Sequence, residues 1–564
     1  MKRYWLSVLM LLTAAARAED PHAKLIAETQ YPSASQCKAC HEQIYREWSF
    51  SSHAYASISP VFHKFEQKIN DLSQGTIGTF CLRCHATVGT SIGEKRELPL
   101  WQRTRVSREG ITCITCHRIN EEYGRVNGER RVVPGDIYQP MASTTDSNQL
   151  AEVLAKKDFY KVKTEKTGRG KDIHAGVFKL EQMDQSQFCV SCHQVAVFPG
   201  IKLEVVWEQY RASPAAKAGV SCQDCHMSTI PGVNAGTTNL PVAIVDGKPI
   251  EPNRPHHNHA FAGPGYPIAH PGIFPHNADG EQYSMETWLK FDYRAGWGTD
   301  AFEAKVTDKM KFPKEWSDSV DRQEARRIID ENLKRLDEKR ELRRQLMENG
   351  SKIEGPFMDH PVQAGKTFRF AYKITNINPG HNMPSGSLGA QPEIWLNVAL
   401  TGPDGEHLWE SGYVDSYGDM CDNHSLDVAA GKMAIDKQLF NLQTKFLTTN
   451  VKGTDREMYL PVNLDIDQIP FIRPATQPIT VLNHPPFIRM EGHSIPPLGS
   501  RYARYTIPED VLTKPGKYKL SVRLRSRAEP IYFMNFIGAT TEMNRSMIEW
   551  MLDIHPYTVE FEVQ

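Results

Sequence analysis

A helical and irregular first part, one long connecting helix and an all-β sandwich at the C-terminal end make up the fold class that the sequence predicts. Three observations predict it. Ten of the 11 cysteines stand before residue 230, in five copies of Cys-x-x-Cys-His. Apolar residues recur every three or four positions between Ser319 and Asn349. Beyond Gly350 the apolar period drops to two.

The five copies are Cys37/Cys40/His41, Cys81/Cys84/His85, Cys113/Cys116/His117, Cys189/Cys192/His193 and Cys222/Cys225/His226. Two thiols at this spacing reach the two vinyl groups on one porphyrin edge and form thioethers, and the histidine that follows swings under the ring to ligate its iron. Zinc half-sites and thioredoxin-like pairs also use Cys-x-x-Cys. Zinc predicts varied residues after the second cysteine and pairs matched in twos, whereas here histidine follows every time and the number is odd. The expected cofactors are therefore five covalently bound haem c groups, held by those ten cysteines, with the five motif histidines as proximal ligands. Loops and short helices, around Ile44 to Trp48 and Val205 to Tyr210, then wrap flat cofactors that themselves form much of the core.

Lys2 and Arg3 precede an apolar run from Leu6 to Leu12 that closes on Ala16-Arg17-Ala18, the pattern of a secretory signal over residues 1–18. The run is shorter than the roughly 20 apolar residues of a membrane span, and no later segment qualifies, so no transmembrane segment is expected in the mature chain. Haem c attachment outside the inner membrane agrees with export to the periplasm or the outer cell surface. The formal charge is −1, and loss of Lys2, Arg3 and Arg17 with the signal takes it to −4. No basic run points to nucleic acid.

The motifs repeat as a pair. Phe80-Cys81 and Phe188-Cys189 open two copies, Gly110-Ile111-Thr112-Cys113 and Gly219-Val220-Ser221-Cys222 open two others, and the separations within the pairs are 32 and 33 residues. A two-haem unit is thus expected twice, behind the Cys37 haem. The polar stretch from Asn120 to Gly170 reads as a long surface excursion between the units.

Sixteen of the 21 histidines remain as sources of second axial ligands. His53 follows the first motif by one helical segment. His257 and His259 stand in Arg254-Pro255-His256-His257-Asn258-His259-Ala260-Phe261, where alternate positions on extended chain point opposite ways and suit two neighbouring irons. His174 is a further candidate and His63 an alternative. His22, His270 and His276 read as surface or loop residues, the last two near enough to the cluster to compete.

Ile329, Leu333, Leu336, Leu342 and Leu346 give the amphipathic stripe of the long helix, which ends at Asn349-Gly350, and its many charges read as a solvated face. Then Phe368, Phe370, Tyr372 and Ile374 alternate with Thr367, Arg369 and Lys373. Further strands fit Ile394 to Leu400, turned by Pro403-Asp404-Gly405, then Tyr518 to Leu524 and Val559 to Val563, an antiparallel sandwich of immunoglobulin type. Within it, Asn376-Ile377-Asn378-Pro379-Gly380-His381 puts an imidazole on a rigid loop, a candidate ligand reaching across to the haem region. Cys421 is the leftover thiol, either reactive, bridging two chains or buried and inert, and Asp415, Asp419 and Asp422 match no defined calcium loop. The division is residues 1–18 signal, 19–278 pentahaem domain, 279–350 helical linker and 351–564 β-sandwich.

Trp48-x-x-Ser51-x-His53, Gly219-Val-Ser-Cys-x-x-Cys-His226 and Gly380-His381-x-x-Pro384-x-Gly386 together resemble exported multihaem cytochromes c. Over about half the chain, at the level of motifs, the haem region resembles the tetrahaem cytochromes of ammonia oxidisers and the related hydroxylamine oxidoreductase and octahaem tetrathionate reductase group. The resemblance implies stacked, mostly bis-histidine haems that exchange electrons, and assigns His53 and His381 as distal ligands. The enzymes of that group carry eight haems, and ammonia-forming nitrite reductases replace one motif histidine by lysine; here there are five motifs and each ends in His. The expectation is an envelope electron relay with protein redox partners, as part of an envelope complex or a homo-oligomer. Its alternative is an oxidoreductase acting on a small nitrogen or sulfur compound at one open-site haem.

Overall fold

The structure is a computed structural model that describes residues 21–564 apart from 73–74, 76, 123–126, 129, 146–147, 198–200, 251–252, 274–276, 360, 387–391, 444, 449–457 and 460–487. The signal expected over residues 1–18 and His276 lie outside the described residues. No described helix is long and apolar enough to cross a membrane.

Up to residue 318 the helices are short and the strands come in small pairs. Helices Glu42–Ser49 and Val206–Arg211 fall where short ones were expected. The motif repeat has a local counterpart in backbone geometry. Leu82–His85 and Val190–His193 are four-residue helices with the first cysteine as N-cap. Cys113–His117 and Cys222–His226 are five-residue helices entered through an extended Thr112 or Ser221, each preceded two residues earlier by a glycine of positive φ, Gly110 or Gly219.

The stretch from Asn120 to Gly170 corrects an expectation. It carries helices Asn148–Ala155 and Lys157–Tyr160, and its Val153, Tyr160 and Val162 are buried with Ile173, Val245 and Ile250. Its polar average hides a few apolar residues at helical spacing, and these close one wall of the interior.

The long helix, Ser319–Gly350, is capped by Asp318, whose carboxylate accepts the Val320 amide, and it runs directly into strand Ser351–Met358. Ile328 and Ile329 pack with Trp288, Phe291 and Trp316, while Leu336 packs with Tyr45, Trp48 and Phe50 beside the first motif. The expected solvated face is only partly so: Arg322, Arg335, Lys339 and Arg343 are buried. Arg322 binds Glu303, Lys339 donates to Ser52 Oγ at 3.1 Å, and Arg343 donates to the carbonyls of Pro264 and Trp550. Charge content alone did not reveal that this helix is covered on two sides.

The C-terminal region is β-rich. Strand Phe368–Asn376 lies antiparallel between Ser351–Met358 and Ser500–Ile507. In a second sheet, Glu393–Thr401 pairs along its length with Gly516–Arg527, which pairs in turn with Leu552–Val563; His407–Ser411 and Phe440–Asn441 take its other edge. Phe370, Tyr372 and Ile374 of the first sheet share one core with Leu396, Val398, Leu520 and Leu524 of the second. Alternation in the sequence therefore found the buried face correctly. The odd face of Glu393–Thr401 is buried as well, since Trp395 and Asn397 bind the carbonyl of Gly412 beneath an overlying segment.

Candidate haem-binding cavity

All fifteen motif residues line one continuous cavity of about 1520 Å3. None of the ten motif cysteines is joined to another in a disulfide. His53, His174, His257, His259 and His381 line the same cavity. Aromatic and aliphatic side chains such as Trp48, Phe62, Val153, Trp207, Phe261 and Leu346 complete its walls.

Hydrogen bonds set the tautomer of most of these imidazoles. Nδ1 of His41, His85, His117 and His226 faces the carbonyl oxygen of Val242, Ala56, Ala142 and Ala262, at 2.9, 3.3, 2.9 and 2.9 Å. A carbonyl only accepts, so Nδ1 carries the proton and Nε2 keeps its lone pair for a metal. Outside the motifs, His259 and His381 do the same, donating from Nδ1 to the carbonyls of His257 and Asn382. The opposite holds for His63, whose Nε2 donates to Ser57 O at 2.6 Å. In His270 both nitrogens are engaged, Nε2 with Phe291 O and Nδ1 with the Gly272 amide. Burial keeps the cavity imidazoles neutral, with His53 and His259 lowered to about 3 and His85, His174, His193 and His381 to about 4. Neutral imidazole is the ligating form.

The imidazoles are also paired in space. An imidazole nitrogen stands about 2 Å from a metal it ligates and about 1 Å from its own ring centre, so two rings on opposite sides of one metal lie about 6 Å apart. Ring centres of His53 and His193 are 6.2 Å apart, those of His117 and His259 6.5 Å, and those of His226 and His381 6.1 Å. His174 is near enough to His41 for their charges to interact. His257 lines the cavity, but no ring contact to a motif histidine is seen for it among the described residues; its carbonyl orients His259 instead. His85 is flanked by the stacked ring of Phe62 at 4.1 Å and interacts electrostatically with His63.

Thiols of different motifs touch. Cys113 lies against Cys37, Cys84 against Cys192, and Cys189 against Cys222. Arg130 links two more motifs, approaching Cys116 Sγ at 3.8 Å while it donates to Ser191 Oγ and Phe188 O. The sequence pairing of the second unit, 189 with 222, is also a spatial one, but Cys84 and Cys113 contact thiols outside their own unit.

The His381 loop is fastened to the haem region. Gln209 Oε1 accepts the Asn382 amide at 3.2 Å and the Ser385 hydroxyl at 2.7 Å, and Pro379 O accepts the Ala215 amide. Asn376 Nδ2 holds the His381 carbonyl from below. Sequence reasoning missed Glu47, whose carboxylate accepts from His256 Nε2 and the His259 amide and so orders the whole cluster. No motif marks it; its buried place on the helix after the first motif was the only signal. Cys421 is buried beside Met433, and Asp415 accepts from the Tyr417 and Asp419 amides and the Ser425 hydroxyl. No group of three or more metal-ligating side chains is found among the described residues.

Residues 36–118, which hold the first three motifs, match the family model Cytochrome c554 and c-prime. The crystal structure of a penta-heme cytochrome c552 from Thermochromatium tepidum is similar in fold, with a TM-score of 0.50 at 15% identity over 94% of this chain and 99% of that one. The first finding concerns the segment 36–118, and the second is a likeness of fold. A chain of the alkylpurine DNA glycosylase AlkC of Pseudomonas fluorescens, bound to DNA containing an abasic site analog, aligns over 43% of this chain and 39% of its own at 10% identity; its TM-score of 0.13 carries no argument. No curated protein matches the chain in sequence.

Proposed function

We propose that the chain is a pentahaem c-type cytochrome that relays electrons in the bacterial envelope, between redox partner proteins, through closely packed and mostly bis-histidine haems. The observation that carries the reading is the spacing of 6.1 to 6.5 Å between three motif imidazoles and His53, His259 and His381, with both members of each pair on the lining of the same cavity. His174 takes the same part for His41. Bound haem supplies iron that cycles between the ferric and ferrous states, with low potential where both ligands are imidazole. The chain's own residues fix ligand tautomers, exclude water with an aromatic wall and bring attachment edges together. The thiol contacts support a path from the first motif to the third, then past Arg130 to the fourth and on to the fifth, with the second joined to the fourth. In this reading residues 19–278 form the haem domain, 279–350 the linker and 351–564 a sandwich of immunoglobulin type that delivers His381, in a chain exported by its first 18 residues.

A second reading has support at one place. The Nε2 proton of His63, bound to Ser57 O, leaves the second motif without a matching imidazole in this tautomer. That favours one open-site haem, at His85, acting on a small nitrogen or sulfur compound. Spectra of the oxidised protein with and without cyanide, nitrite or carbon monoxide decide between them. Five low-spin haems that ignore all three ligands support the relay; a high-spin haem that binds them moves the assignment to the oxidoreductase.

A further inference from the structure

Glu529 stands in the cavity wall with Tyr266, Phe533 and Met547. Phe533 meets Phe65 at 5.3 Å, one turn along helix Pro60–Leu72 from the Phe62 that stacks on His85. The carboxyl lines the cavity, and its Oε2 is buried and has no hydrogen-bond partner. Such a group is costly to leave charged.

Behind it lies a chain of acids. Glu393 acts on Glu529, and Asp422 and Glu393 act on Asp419. Glu393 Oε1 is itself buried without a partner. One fully buried cation, Arg527, serves Glu393 and Asp419 together. Asp422, paired with His424 at 3.2 Å, is the partly exposed outer end. Like charges this close in a medium of low polarity cannot all ionise, so the cluster retains protons. Burial and the neighbouring acids push Glu529, Glu393 and Asp419 up from the ordinary carboxylate range.

Other charged groups around Glu529 are engaged elsewhere. Arg343 of the long helix lies over the Tyr266 ring, Glu66 of helix Pro60–Leu72 binds Arg96, and Lys68 lies over Phe536. Tyr266 donates its hydroxyl to Met547 O. On helix Thr541–Glu549, Glu542 and Glu549 bind Arg294, and Arg545 binds Glu542.

We propose that Glu529 is the inner end of a proton-loading cluster in the C-terminal region, and that it takes up one proton when iron in the cavity beside it gains one electron. The inference rests on the haem reading above. An electron from the reductant converts ferric to ferrous iron, a proton from water converts the carboxylate to the acid, and the net charge of the buried unit is unchanged. The C-terminal region then does more than present His381, since it couples electron transfer to proton uptake.

The test is spectroelectrochemistry of the holoprotein between pH 5.5 and 9. The wild type is expected to show at least one haem whose reduction constant falls tenfold per pH unit, about 59 mV for a one-electron couple. Glu529→Gln is expected to flatten that slope with haem content and low-spin spectrum unchanged, whereas Glu529→Asp keeps it. An unchanged slope in the glutamine variant overturns the inference. Electrochemical reduction of the wild type in unbuffered solution with a pH indicator covers the case in which the variant does not mature: no proton uptake overturns it too. A wild type with too few haems indicts the haem reading instead.

Discussion

Gly110 carries a φ of +65°, and a Cβ there would stand 2.4 Å from the His53 carbonyl oxygen, which also accepts the Ile111 amide. A residue with a side chain therefore meets both left-handed strain and a clash with the backbone of an expected iron ligand. Gly110→Ala should cost about 1–3 kcal/mol and perturb the haem served by His53. Gly219 has φ +73° and open space around it, so Gly219→Ala should cost the strain alone. Denaturant midpoints and the low-spin spectrum check the contrast; equal effects at both sites would contradict it. For the ligands, His381→Met should raise the potential of one haem and leave the others in place. Potentials unchanged throughout would remove His381 from the set.

The long helix and the His381 loop are the elements through which the C-terminal region acts on the cavity. Burial, with Arg343 nearby, lowers Lys339 to about 7 from its ordinary 10.5. The folded chain thus binds fewer protons than the unfolded one between pH 7 and 10.5, and the cost of burying the charge is greatest below 7 and fades as pH rises. Lys339→Met should therefore stabilise, on the order of 2 kcal/mol at pH 7 and less at pH 10, read from denaturant midpoints at both. A variant less stable at pH 7 would mean that the ammonium is paired in the mature protein. Arg527 behaves oppositely, because it is the buried partner of Glu393. Arg527→Met should cost about 3–5 kcal/mol by leaving the acids uncompensated. Loss of less than about 1 kcal/mol would show that neither Glu393 nor Asp419 carries a charge for Arg527 to compensate. Gln209→Ala, which removes two of the loop's anchors, should loosen the His226–His381 pair and give a partly high-spin fifth haem.

In the whole molecule, what was legible in the sequence was whatever is local. The bounds of the long helix and the alternation of Phe368 to Ile374 depend on a few neighbouring residues, and the structure has both where periodicity put them; the five pentapeptides are equally local, and the structure brings them to one cavity. Ligand choice is not local. His257 and His259 have the same surroundings in sequence, and only the fold shows that His259 faces His117 while His257 lends its carbonyl; likewise His63 and His270 are separated from the cavity set by the hydrogen bonds of their Nε2 atoms to the carbonyls of Ser57 and Phe291. The buried cations of the long helix and the folded stretch from 120 to 170 were misread for the same reason, since burial is set by what covers an element. Glu47, Arg130 and Glu529 bear no motif at all and are visible only as partners across the cavity. The central claim is that the repeated pentapeptides hold porphyrins covalently in that cavity. Intact mass of the mature protein, purified under denaturing conditions from cells able to attach haem, tests it most directly. The account predicts a mass above the processed polypeptide by five haem groups, and a mass equal to the bare chain, with its cysteines free or paired as disulfides, would contradict it.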